Sequence, residues 1–233
     1  MAVKLVISKQ QLAQLRQYLG RHVVSILLLV IALACLGVGT RMLAMRILHT
    51  TITHAPNAQQ TITEDTDEPD EVPVTASQAQ KYTVPSDQPR SITLPSIQTY
   101  ALLQRVGLTS DNAIAVPTNI FFAGWYVNSP KPGEQGVSII DGHVSGRYNG
   151  GIFKRLKDMK PHDTIIVEYG DKSVRNFQVV SVTKVPEAEA SAALFQQEPG
   201  ISQQLDLITC GGKFDYATKT FADRIIVVAK TIS

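Results

Sequence analysis

Cysteine is scarce in this chain, which has only Cys35 and Cys210. The net charge of +2 leaves no basic surplus of the kind that nucleic-acid binding requires, so no nucleic acid is expected as a partner. No internal repeat is present. A calcium loop is missing too, because Asp65, Asp67, Glu68, Asp70 and Glu71 lack the glycine and terminal glutamate that such a loop uses. The sequence carries no signature of a metal or cofactor.

Long apolar runs are also absent, with one exception. Residues 23–39 read VVSILLLVIALACLGVG, without charge or proline. That length is near the lower limit for crossing the hydrocarbon core as a helix. Leu43, Ala44 and Met45 extend it if Arg41 snorkels toward the headgroups. Lys4, Lys9, Arg16 and Arg21 precede the run and only Arg41 and Arg46 closely follow it, so the positive-inside bias puts the N-terminus in the cytoplasm. A cleaved signal peptide needs a short basic start and a small-residue cleavage site, and RMLAMR offers no such site. A lipid-modified cysteine would stand at the end of the run, whereas Cys35 lies inside it. The expected organisation is a cytoplasmic segment 1–22, a transmembrane anchor 23–45, an extracytoplasmic stalk 46–90 and a folded domain 91–233. The protein is thus expected in the cell membrane as a single-pass chain with its folded domain outside.

The stalk is read from composition. TITEDTDEPDEVPVTASQAQ is acidic, contains Pro, Ser and Thr, and is nearly free of aromatics. Such a segment buries too little surface to offset its ordering entropy, which predicts flexibility. Beyond it, short β-branched runs alternate with Gly, Pro, Asn and Asp. Candidate strands are SITLPSI, QTYALLQRV, NIFFAGWY, GVSIIDG, DTIIVEY, VRNFQVVSVTKV, LDLITC and RIIVVAK. GIFKRLKDMK sets Ile152, Leu156 and Met159 at helical spacing beside Phe153, with Pro161 after the end, and predicts a short amphipathic helix. The fold class is all-β, a closed barrel of about eight strands with one or two short helices, preceded by a single transmembrane helix.

The predicted topology separates the two cysteines, one at membrane depth and one outside, so they cannot pair within one chain. Cys210 is then a lone thiol without a structural disulfide, which marks it as a candidate reactive group. On count alone it reads equally as a small buried hydrophobe. Its setting adds to the first reading. LDLIT alternates and then ends in Cys210-Gly211-Gly212, where two glycines let the backbone turn and let another chain approach closely. Arg224 opens the strand RIIVVAK, and antiparallel pairing of the two strands would bring Cys210 and Arg224 to one rim. A nearby cation lowers a thiol's pKa and can hold an oxyanion. Without a thiol opposite, Arg224 reads as a solvated strand-end charge; Lys213 is a second nearby cation.

Of the five histidines, His22, His49 and His54 fall beside the predicted membrane span or in the stalk, and His162 falls in a Pro-His-Asp turn. His143 follows the apolar strand GVSII through Asp141-Gly142, so it too projects from a strand end. Alone it would read as a surface histidine. With Cys210 and Arg224 it completes a set of complementary chemistry at strand ends.

These residues resemble the sortase family. LPSI, VGL, AVP and GWYVNSPKPGEQGVSIIDGHV are similar to the first half of sortases of the actinobacterial class F kind, and IFKRLKDMKPHD to their helix and following turn. LDLITCGGKFDYATKTFADRIIVVAK is similar to the family's cysteine and arginine strands, with Thr209 to Asp215 the most specific piece. The resemblance implies a cysteine transpeptidase with Cys210 as nucleophile, His143 as acid/base and Arg224 stabilising substrate or oxyanion. It implies substrate contacts around Thr209, Gly211 and Gly212, and a groove formed in part by about 186–203. The implied partners are secreted proteins with an LPxTG-like sorting motif, an acceptor amine of a cell-wall precursor or pilin, and the membrane through the N-terminal helix. Two positions depart from the pattern: Asp141 stands where many members have a small apolar residue, and Asp223-Arg224 where relatives of that branch often read Asp-Asn.

Competing readings differ in their signatures. An L,D-transpeptidase needs a Ser-x-Gly-Cys approach, which Leu207-Ile208-Thr209-Cys210 lacks. A papain-like peptidase would put the cysteine before the histidine and on a helix. A catalytically silent extracellular β-barrel that binds a partner would have an unreactive thiol.

Overall fold

A computed structural model describes residues 60–64, 68–217 and 220–232. The predicted anchor 23–45, the segment 1–22 before it and residues 46–59 of the predicted stalk lie outside the described residues. Among those described, no helix is long and apolar enough to cross a membrane.

The strands are β1 (Thr61–Ile62), β2 (Pro89–Leu94), β3 (Thr99–Val106), β4 (Ala123–Tyr126), β5 (Gly136–Gly142), β6 (Thr164–Tyr169), β7 (Val174–Pro186), β8 (Gln203–Asp215) and β9 (Thr220–Ile232). Two short helices are α1 (Ala76–Lys81) and α2 (Glu187–Leu194). Strands run in the order β3-β2-β6-β7-β9-β8-β5-β4, and β4 pairs back on β3 to close an eight-stranded barrel, with β1 added to β3 outside the ring. Closure satisfies the backbone groups that an open sheet would leave at its edges.

Alternation sets two faces. Leu205 and Leu207 of β8, Ile140 of β5 and Ile225, Val227 and Ala229 of β9 fill the interior with Phe153 and Phe177. The intervening residues Ile139, Ile208, Ile226 and Val228 face outward, where Leu194 of α2 and Ile201 cover them in a second apolar cluster. That covered outer wall, made by β5, β8 and β9, carries the site.

The structure differs from the sequence-based expectation in four places. Residues 151–160 are not an α-helix: Lys154, Leu156, Asp158 and Met159 each donate to the carbonyl three residues earlier. Such i→i+3 turns align residues three apart, and Phe153, Leu156 and Met159 are all buried on one side. Strands β8 and β9 do not end near Cys210 and Arg224 but continue as a hairpin to Asp215 and from Thr220, with a bulge between Gly211 and Phe214. Helix α2 occupies part of the stretch after Pro186, where no helix was expected.

The fourth difference lies within the stretch whose composition suggests a stalk. There, β1 pairs with β3, and α1 is capped by Thr75 and Gln78. Tyr82 is buried against Leu102 and Phe122, and its hydroxyl donates to the Leu103 carbonyl at 2.6 Å. Composition undercounts this segment because single anchors, rather than apolar periodicity, hold it to the barrel.

Candidate active site

Cys210 and Arg224 are direct partners in the antiparallel β8–β9 ladder. Strand β5 runs parallel to β8 on the other side, with Asp141 opposite Ile208. Continuing that register by two residues sets His143 beside Cys210. Period-2 alternation then places all three on the outer wall: Cys210 shares a face with Ile208, His143 with Ile139 and Asp141, and Arg224 with Ile226. The structure thus pairs Cys210 with Arg224 directly, and the register of β5, extended one residue past its end at Gly142, puts His143 on the Cys210 side of the same wall.

Thr209 has a different place. Its side chain is buried and donates to the Gly142 carbonyl at 2.6 Å. The bond ties β8 to β5 directly beneath the Cys210–His143 pair, so this hydroxyl holds the strands rather than facing a groove. Gly211 and Gly212 lie at the bulge. Gly212 has φ +75°, and a Cβ there would fall 2.2 Å from Asp223 Oδ2. A side chain is therefore excluded both by backbone conformation and by space.

His143 is fixed from several sides. Its Nε2 lies 2.7 Å from the Pro117 carbonyl. A carbonyl oxygen only accepts, so this assigns a proton to Nε2 and leaves Nδ1 as the nitrogen that differs between the two charge states. The His143 carbonyl accepts from Phe153 N, and Val144 O accepts from Gly151 N. Gly151 sits so close that a Cβ would meet the His143 carbonyl oxygen at 2.2 Å.

Arg224 donates through Nη1 to the Phe221 and Asp223 carbonyls at 2.9 and 3.1 Å, and its Nη2 lies 3.6 Å from Glu187 Oε1 at the start of α2. Lys184 pairs with Asp223 at 3.1 Å. Burial pushes the Cys210 thiol above its ordinary range; the Arg224 guanidinium pulls it back, and the carboxylates of Asp141 and Glu187 push it up. Asp141 is buried opposite Gly124 of β4, where a Cβ would lie 2.3 Å from its Oδ1. A glycine on the neighbouring strand is what makes room for this carboxyl. Lys213 and His162 have no place in the three-residue set: Lys213 is exposed in the bulge, and His162 sits at φ 77° in the turn before β6.

The outer wall holds a further carboxyl. Asp206 is fully buried between its register partners Ile139 and Val228. Gln204 Nε2 donates to both of its oxygens, at 2.9 and 3.0 Å, and also to Gln196 O. Gln204 Oε1 accepts from Glu198 N at 2.7 Å. Burial raises the Asp206 pKa to about 7, opposed by the Gln204 hydrogen bonds and aided by Glu198. Sequence reasoning missed Glu187, Asp206 and Gln204. The only signal was the even-numbered alternation Gln204, Asp206, Ile208, Cys210, which puts polar residues on a face otherwise apolar. Among the described residues, no group of three His, Cys, Asp or Glu is arranged to hold a metal ion.

The model of the sortase domain matches residues 92–232, more than half of the chain. The chain belongs to the sortase family. Solved structures with similar folds include a lid mutant of sortase A from Corynebacterium diphtheriae, at 22% identity and TM-score 0.48, covering 67% of this chain and 76% of that one. Sortase C-1 from Actinomyces oris has 22% identity and TM-score 0.47, covering 73% and 89%. Sortase A from Listeria monocytogenes has 19% identity and TM-score 0.46, covering 61% and 86%. No curated protein matches the chain by sequence.

Proposed function

We propose that this chain is a cysteine transpeptidase that cleaves an LPxTG-like sorting motif in secreted proteins and transfers the acyl product to an amine of the cell wall or a pilin. The observation that carries this reading is the pairing of Cys210 with Arg224 across β8–β9, on the same wall as His143 at the end of β5.

The Cys210 thiolate attacks the carbonyl carbon of the motif threonine, forming a C–S bond and a negatively charged oxygen. Arg224 faces that oxygen or the adjacent substrate carbonyl with its guanidinium donors. Collapse of the intermediate breaks the threonine–glycine C–N bond. Imidazolium His143 gives a proton from Nδ1 to the leaving amine, which leaves a thioester on Cys210 and neutral His143. An incoming amine then attacks the thioester and loses its proton to His143, restoring the thiolate and imidazolium. Because burial keeps the Cys210 thiol high, the thiolate is the smaller fraction at neutral pH, but a more basic thiolate is also the stronger nucleophile. Thr209 holds the β5–β8 register that the proton transfer relies on, and Gly211 and Gly212 let β8 bulge close against Ile225 and Asp223 just past the nucleophile. The expected anchor at 23–45 would hold the domain on the outer face of the cell membrane, where secreted substrates and the acceptor amine meet. The Thr209 to Asp215 run supports placement near the class F branch.

The test is peptide cleavage by the full-length chain with and without an added amine. Wild type is expected to release the C-terminal fragment and form the amide with the amine, and Cys210→Ala and His143→Ala to do neither. Retained cleavage in Cys210→Ala would end this reading.

A further inference from the structure

The segment before the barrel grips both supports of His143. Its residue Asp70 donates through its amide to Thr118 O and accepts from Ile120 N, while Asn119 Nδ2 donates to Val72 O at 3.0 Å. These contacts fasten the segment to residues 118–120, immediately after the Pro117 carbonyl that holds the His143 ring. One residue further on, Glu71 reaches the opposite support. Its carboxylate accepts from the backbone amides of Arg147, Tyr148 and Asn149 and from Asn149 Nδ2. Those amides form the tip of a tight hairpin, closed by Gly146 N to Asn149 O and by the Ser145–Gly150 bridge. The root of the hairpin is His143-Val144 against Gly151.

Three converging backbone N–H groups form an anion-binding nest, and here the anion comes from the same chain. Partial burial works against ionisation, but the hydrogen bonds from Tyr148, Asn149 and Arg147 outweigh it and hold the Glu71 carboxyl below its ordinary value. The nest is therefore filled by an anion at neutral pH. The neighbouring Glu68–Arg147 ion pair at 2.9 Å is exposed on both sides and adds little. Gly146 completes the seat: a Cβ there would fall 2.4 Å from Glu71 Oε1.

We propose that Glu71 is a positioning residue, and that residues 68–72 act as a strap that sets the geometry of His143 by filling the amide nest at 147–149 while gripping 118–120. The proposal rests on the assignment of His143 as acid/base. It implies that whatever displaces the strap detunes the site without touching Cys210.

Glu71→Ala removes the anion. Gly146→Ala leaves Glu71 intact but puts a methyl group in its seat, at an ordinary backbone conformation. Both are compared with wild type as full-length chains in detergent, by amide hydrogen exchange, peptide-cleavage kinetics and the pH profile of Cys210 alkylation by iodoacetamide. The expected result for both is at least about tenfold faster exchange at 147–149. With it should come a kcat lower by about five- to tenfold at a KM within about twofold, and a displaced inflection in the alkylation profile. Faster exchange with wild-type kcat and an unmoved profile would overturn the proposal, as would unchanged exchange in Glu71→Ala. Cys210→Ala is the control for the underlying reading. If it still cleaves, or if wild type does not cleave, the transpeptidase assignment fails, and the exchange and alkylation measurements decide the strap without it.

Discussion

Asp206→Asn should flatten part of the pH dependence of stability. The carboxyl is fully buried on the outer wall of β8, and its pKa is raised from 3.8 to about 7. A raised carboxyl pKa means that the native state holds a proton which the unfolded chain has already lost. Stability therefore falls as pH rises, beginning near the unfolded value and ending once pH passes the folded one. One pKa unit corresponds to about 1.4 kcal/mol. Between pH 5 and pH 8 the native state crosses about two of those units, so roughly 2–3 kcal/mol of wild-type stability should disappear. The asparagine variant keeps one acceptor for Gln204 Nε2 but has no charge to bury. Urea unfolding of both proteins at pH 5 and pH 8 isolates the effect, because every other titrating group is common to the two. The unfolding free energy of the variant relative to wild type should rise by about 2–3 kcal/mol from the lower to the higher pH. An equal gap at both pH values would refute the reasoning.

Three further outcomes follow from the same geometry. Thr209→Val deletes the buried bond to Gly142 O, with an expected loss of about 1–3 kcal/mol; Thr209→Ser should recover most of it in thermal melts. Glu187→Gln removes the carboxylate facing Arg224 and one cause of the raised Cys210 pKa, so the pH profile of Cys210 alkylation should move to lower pH. Gly212→Ala should destabilise the hairpin beyond Cys210 by about 1–3 kcal/mol through strain at positive φ and contact with Asp223, read as a lower urea midpoint.

Strand β5 was legible in the sequence to its end residues, because GVSIIDG is a short β-branched apolar run bounded by glycines. Strands β8 and β9 were legible only up to the site. GGKFDYATK reads as a turn, and its extension depends on cross-strand contacts such as Phe214 against Phe221, with ring centroids 5.0 Å apart. Helix α2 shows in propensity rather than in periodicity: EAEASAAL consists mostly of strong helix formers with Glu187 and Glu189 in its first turn, but with only Ala190 and Leu194 buried it has no apolar stripe for a pattern reading to find. The stretch 151–160 buries residues three apart, a spacing that a short segment shares with an α-helix, so its sequence does not separate the two. The facing of Cys210 and Arg224 was legible because antiparallel pairing of their strands puts the end of one beside the start of the next; His143 entered through its strand-end position and complementary chemistry. Glu71 and Glu187 were not, since their partners at 147–149 and 224 lie far away in sequence, and Asp206 was not, since its pairing with Gln204 becomes visible only once both side chains are buried on the outer wall.

The most direct test of the central claim is intact-mass spectrometry of the full-length chain mixed with an LPxTG-like peptide in the absence of an acceptor amine. The account predicts a mass increase equal to the peptide up to its threonine, mapped to Cys210, discharged by hydroxylamine and missing in Cys210→Ala. No such adduct across a panel of motif peptides, or an adduct that persists in Cys210→Ala, would contradict it.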